Sequence, residues 1–84
     1  MWNKNFDLAV NLYKSALELQ PDHLKVSLFL SKAYFRKKDY AQCKHVLKRI
    51  LQLHPSETRA SFNLAYCLYK GAMETFGLSE RRVS

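Results

Sequence analysis

Apolar side chains recur along this chain at intervals of three and four residues, as in Phe6, Ala9, Tyr13, Ala16 and Leu17 and again in Tyr40, Cys43, Leu47, Ile50 and Leu51. That spacing lays one greasy stripe along a helix and leaves the opposite face polar. Both stripes stop before a proline. Pro21 cannot continue a helix and biases Gln20 away from helical backbone, and Pro55, followed by Ser56, repeats the device. Asp22 stands where an N-cap for the next helix is needed. Arg36-Lys37-Lys38 puts cations at the carbonyl end of one helix, and Asp39 with Gln42 has the spacing of a capping box at the start of another. The pattern predicts helices over 4–20, 23–37, 40–54 and 57 to about 75. Links of two or three residues force consecutive helices to pack antiparallel. The expected fold is all-α, with antiparallel helical hairpins stacked as a short solenoid.

The stripes also repeat. Pro21 and Pro55 stand 34 residues apart, and at that offset Lys14 matches Lys48, Leu17 matches Leu51, Leu19 matches Leu53, Ser27 matches Ser61 and Leu30 matches Leu64. Phe6/Tyr40, Ala9/Cys43, Leu12/Val46, Leu28/Phe62 and Phe35/Tyr69 are like-for-like replacements in the same register. A fixed period of this length is the mark of a helical repeat whose units bury their apolar faces against one another.

The repeated residues resemble the tetratricopeptide repeat, whose pattern reads Trp-x-x-Leu-Gly-x-x-Tyr, then Ala-x-x-x-Phe, then Pro. The central unit carries Ser27-x-x-Leu30-Ser31-x-x-Tyr34, Cys43-x-x-x-Leu47 and Pro55; Ala9-x-x-x-Tyr13 with Pro21 precedes it, and Ser61-x-x-Leu64-Ala65-x-x-Leu68 follows. Ser31 and Ala65 stand at the glycine position, where two helices touch and a small side chain is needed. Ser27 and Ser61 replace the large first residue. The resemblance implies that 4–21 is the second half of one repeat, 22–55 a complete repeat, 56–76 the first helix of a further one and 77–84 a frayed tail. The chain is therefore expected to be a piece of a longer array.

In that family the first helix of each hairpin lines a concave groove. Carried over position by position, the resemblance assigns the groove to Lys25, Leu28, Lys32, Phe35 and Arg36 from one unit and to Arg59, Phe62, Asn63, Tyr66, Tyr69 and Lys70 from the next. Five of these eleven are cationic and none is acidic, so other protein subunits or acidic peptide segments are the expected partners. The branch of the family that grips a C-terminal carboxylate uses Lys where this chain has Leu28 and Asn where it has Lys32, which argues against that clamp. The stretch from Tyr34 to Leu68, especially Gln42-Cys43-Lys44, Pro55-Ser56-Glu57-Thr58 and Phe62-Asn63-Leu64-Ala65, is similar to tetratricopeptide scaffold subunits of the RNA polymerase II-associated factor complex. That resemblance implies a nuclear scaffold in transcription elongation and linked histone modification.

Composition narrows the alternatives. Eighty-four residues allow one small domain, and 48% hydrophobic content is that of a globular chain. Two glycines and two prolines are too few for many-stranded folds or a Gly-rich phosphate loop. The longest apolar run, Leu64 to Tyr69, is far short of the roughly 20 residues of a membrane span, so no membrane partner is expected. Fourteen Lys and Arg against seven Asp and Glu leave a net charge of +7. Most of the excess falls on Lys32, Arg36, Lys37, Lys38, Lys44, Lys48 and Arg49, which makes a nucleic-acid-binding helical module the rival reading. His23, His45 and His54 lack zinc spacing, so neither metal nor cofactor is expected. Cys43 and Cys67 read as small core thiols of a reducing compartment, and the serines have no nucleophile elbow, so no enzyme is expected. Leu64, Cys67 and Leu68 are expected to be half covered, a strip through which the chain would self-associate.

Overall fold

The computed structural model describes residues 4–75, and the tail expected over 77–84 lies outside them. Four helices follow in order: α1 (Lys4–Leu19), α2 (Leu24–Arg36), α3 (Tyr40–Leu53) and α4 (Thr58–Thr75). Each packs on the next, and no strand occurs among the described residues. The molecule measures 46 × 31 × 15 Å. Its shortest dimension is that of two helix layers about 10 Å apart, each adding a Cα radius of about 2.3 Å.

The links are built as the prolines and acids predict, with one change. At the first, the Gln20 carbonyl accepts from the His23 N–H at 3.1 Å, a turn with Pro21 at its second position. Thirty-four residues on, the His54 carbonyl accepts from the Glu57 N–H at 3.0 Å around Pro55. The flanking bonds repeat too: Gln20 N–H to Ala16 and Ser27 N–H to His23 correspond to His54 N–H to Ile50 and Ser61 N–H to Glu57. The sequence period is thus a period of backbone hydrogen bonds. The N-cap of α2 is His23, not Asp22: its Nδ1 accepts from the Val26 N–H at 3.2 Å, where the shorter Asp22 sits one residue too early.

Between α2 and α3 the chain turns without glycine. Lys38 takes the left-handed conformation, φ 65°. Its N–H bonds to the Phe35 carbonyl and the Asp39 N–H to that of Tyr34, both at 2.9 Å, a Schellman closure. Asp39 then caps α3, its Oδ1 accepting from the Gln42 N–H at 3.3 Å. Lys37 ion-pairs with Asp7, tying the end of α2 to the start of α1.

The core runs through α2 and α3. Cys43, Leu47 and Ile50, spaced by four and three, form the inner face of α3, and Leu47 is wholly buried. Leu28, Leu30, Ser31, Ala33 and Tyr34 of α2 close over it. The small Ser31 lets the helices approach, and its hydroxyl donates to the Leu28 carbonyl at 2.7 Å, so its own oxygen is not stranded. Cys67 is fully buried, not half covered: it stands in the register of Ala33, on the side of α4 that packs on α3, and its thiol donates to the Tyr40 carbonyl at 3.4 Å.

Candidate partner-binding groove

Four positions of α2, Lys25, Phe29, Lys32 and Arg36, advance by four, three and four residues and so share one face. Arg59, Phe62, Asn63 and Tyr66, spaced by three, one and three residues, likewise share one face of α4. The two faces meet across a trough. One hollow of ≈ 320 Å³ is lined by Lys25, Leu28, Phe29, Lys32, Arg59, Phe62 and Asn63. A second, ≈ 250 Å³, is lined by Ser31, Lys32, Phe35, Arg36, Cys43, Asn63 and Tyr66. Lys32 and Asn63 belong to both and form the shared wall. A third hollow continues past α2 towards α1, between Phe6, Ala9 and Tyr13 on one side and Phe29, Lys32 and Arg36 on the other.

Aromatic rings line the far end. Phe35 lies 5.3 Å from Tyr66 and 5.4 Å, edge-on, from Tyr40, and Tyr66 stacks at 6.3 Å on Tyr69. Tyr13 and Phe29 form a second pair at 5.8 Å. Such pairs hold rings in place at little entropic cost to a ligand.

Nine of the eleven residues that the repeat pattern assigns to the groove line one of the two hollows. Leu28, only 4% exposed, is floor, not contact surface. Tyr69 and Lys70 line neither hollow; Tyr69 extends the wall through its stack on Tyr66. Phe29 is the residue that the pattern misses, although it precedes Asn63 by one 34-residue period and fills the matching place.

The electrostatics need one amendment. The groove residues themselves include no acid, but Glu57 sits at the rim, its Oε2 accepting from Arg59 Nε at 2.7 Å. That bond holds the Glu57 carboxyl below its ordinary range and raises Arg59. Arg59 is therefore partly neutralised. No ion pair among the described residues engages Lys25, Lys32 or Arg36, and all three are exposed. The trough is cationic through them.

The run of seven cations does not form one patch. Lys32 and Arg36 face the trough, Lys37 is tied to Asp7, and Arg49 lines a separate hollow with Lys14 and His45 between α1 and α3. Deeper in, burial first, and then the adjacent Cys67 thiol, push Cys43 up to about 12. Burial thus holds it as the neutral thiol at neutral pH. Among the described residues no group of three or more His, Cys, Asp and Glu could hold a metal, and no helix is long and apolar enough to cross a membrane.

A family model described as tetratricopeptide repeat matches residues 3–61, from the start of α1 into α4. No curated protein and no solved structure matches the chain. The match spans most of the chain, and the hydrogen-bonded period of the two proline turns falls within it. The chain belongs to the tetratricopeptide repeat family.

Proposed function

We propose that this chain is a non-catalytic protein-interaction module whose α2–α4 trough takes up an acidic peptide segment of another protein. Tetratricopeptide repeats mediate protein–protein interaction. The observation that carries the reading is Lys32: it walls both hollows of the trough, flanked by Lys25 and Arg36 and opposite Asn63 and Tyr66. Carboxylates entering there meet cations that form no ion pair among the described residues, while the Phe35–Tyr66 pair supplies apolar contact area.

Fluorescence anisotropy with a labelled Asp/Glu-rich peptide containing one Phe tests this. Reversing Lys32→Glu and Arg36→Glu together removes two attractions and adds two repulsions, an expected loss of about 10-fold or more. Unchanged affinity would remove the trough from the function. A duplex DNA probe run beside the peptide covers the rival reading: tighter binding to DNA, with a steep log–log salt slope, would replace it.

A narrower reading makes the module part of a scaffold subunit of the RNA polymerase II-associated factor complex, nuclear and active in elongation and linked histone modification. It is supported by the resemblance of Gln42-Cys43-Lys44, Pro55-Ser56-Glu57-Thr58 and Phe62-Asn63-Leu64-Ala65 to such subunits. Tagged full-length protein should then be nuclear and recover the polymerase-associated subunits; a cytosolic protein without them would refute it.

A further inference from the structure

We propose that the hollow behind α2 is a second docking site, which takes up a tryptophan side chain flanked by acidic residues in a partner protein.

This hollow lies between α1 and α3 with α2 as its floor, and its ≈ 340 Å³ falls within the range of about 300–1,000 Å³ over which pockets hold ligands. Ser27, Leu30 and Tyr34, spaced by three and four residues, form the floor. They stand on the side of α2 opposite Lys25, Phe29, Lys32 and Arg36, so the hollow and the trough share no wall on that helix.

The floor carries two unmet hydroxyls. Ser27 and Tyr34 are more than nine-tenths buried, at 8 and 7% exposure, yet no hydrogen bond among the described residues engages either side-chain oxygen. Neither oxygen is sealed off from open space, and the hollow is the space that both residues line. A polar group on a buried residue is ordinarily paired, and the partner for these two has to enter from outside.

Position 27 sets how full the hollow is. The tetratricopeptide pattern has tryptophan there, and serine leaves out the whole ring system. An indole supplied by another chain refills that room. Leu17, Leu30 and Val46 give it apolar walls, and its N–H can donate to a floor hydroxyl.

The rim selects what stands beside the ring. Lys14 on α1 and Arg49 on α3 are exposed and form no ion pair among the described residues, and Glu18 is the single acid of the lining. The rim therefore keeps a positive surplus, which favours carboxylates next to the tryptophan. Gln42, His45 and Arg49 make one edge, and at 1.5 Å per residue it runs about 10 Å along α3. That equals about three residues of extended chain, longer than a ring, and it favours a peptide segment over a lone aromatic acid.

Amide shifts of the isotope-labelled full chain, titrated with the capped peptide Glu-Trp-Glu, test this. The largest changes should fall on Ser27, Leu30, Tyr34 and Val46, and exchanging the peptide's tryptophan for alanine should weaken binding by about 10-fold or more. Ser27→Trp fills the hollow from within: it should weaken Glu-Trp-Glu by about 10-fold or more and leave the trough peptide of the anisotropy assay unchanged. If that variant loses helical circular dichroism, Arg49→Glu on the exposed wall replaces it, with an expected loss of about 5-fold or more. Shifts confined to Lys32, Asn63 and Tyr66 would put the peptide in the trough and overturn the proposal. Absence of binding up to about 1 mM, or full affinity in the blocked variant, would overturn it as well. An indole carboxylic acid that binds as tightly as the peptide would assign the hollow to a small molecule and exclude a protein as its occupant.

Discussion

Leu28 and Phe62 occupy the same place in successive repeats, yet Leu28 is 4% exposed and Phe62 70%. Truncating both to alanine therefore separates what the residue is from what covers it. Removing a buried leucine costs its transfer energy plus a cavity term, in all about 2–5 kcal/mol. Leu28 floors an open hollow and not a closed core, so the lower half applies, about 2–3 kcal/mol. Phe62 keeps under a third of its surface covered, and its loss should cost below about 1 kcal/mol. A domain of this length is stable by only about 4–13 kcal/mol, and each kcal/mol moves the midpoint by about 4–8 °C, so Leu28→Ala should lower Tm by about 10–20 °C. Urea and thermal unfolding followed by circular dichroism measures both. Equal losses at the two positions would refute the reasoning, since they would mean that burial does not set the cost of truncation.

Three further outcomes follow from local geometry. Lys38→Gly should raise stability by about 0.5–1 kcal/mol, because relief of left-handed strain of about 1–2 kcal/mol exceeds the extra entropy glycine loses; a lower urea midpoint would contradict the Schellman turn. Gly71→Ala should stabilise α4 by up to about 1 kcal/mol, since the new Cβ meets Tyr40 at an ordinary 3.6 Å, and a loss in thermal unfolding would show that contact to be too tight. Cys43, at about 12 when folded against an ordinary 9.0, favours the folded state fully below pH 9 and loses that contribution as pH rises towards 12. Wild type should therefore lose up to about 1.4 kcal/mol more per pH unit in that window than Cys43→Ala; parallel urea-midpoint curves would exclude a buried thiol.

The fold was legible because its signals act locally and agree. Prolines at a fixed interval, an Asp–Gln pair and stripes at helical spacing place every helix end within about two residues of the observed one. What escaped depends on neighbours. His23 caps α2 because its ring nitrogen reaches the Val26 N–H, a use of histidine that composition rules do not favour. Cys67 is buried by α3, and periodicity along α4 does not say which of its sides α3 takes. Glu57 reaches Arg59 from the turn before α4, outside the helical register that assigns the groove. Phe29 was within reach, because the period that marks Asn63 marks it as well.

The central claim is that α2 and α4, separated in sequence by a whole helix, stand side by side across one trough. Ring-to-ring nuclear Overhauser contacts between Phe35 and Tyr66 test it most directly. Centroids 5.3 Å apart predict strong cross-peaks that vanish in Tyr66→Ala. A well-folded, fully helical chain without those cross-peaks would contradict the stacked arrangement.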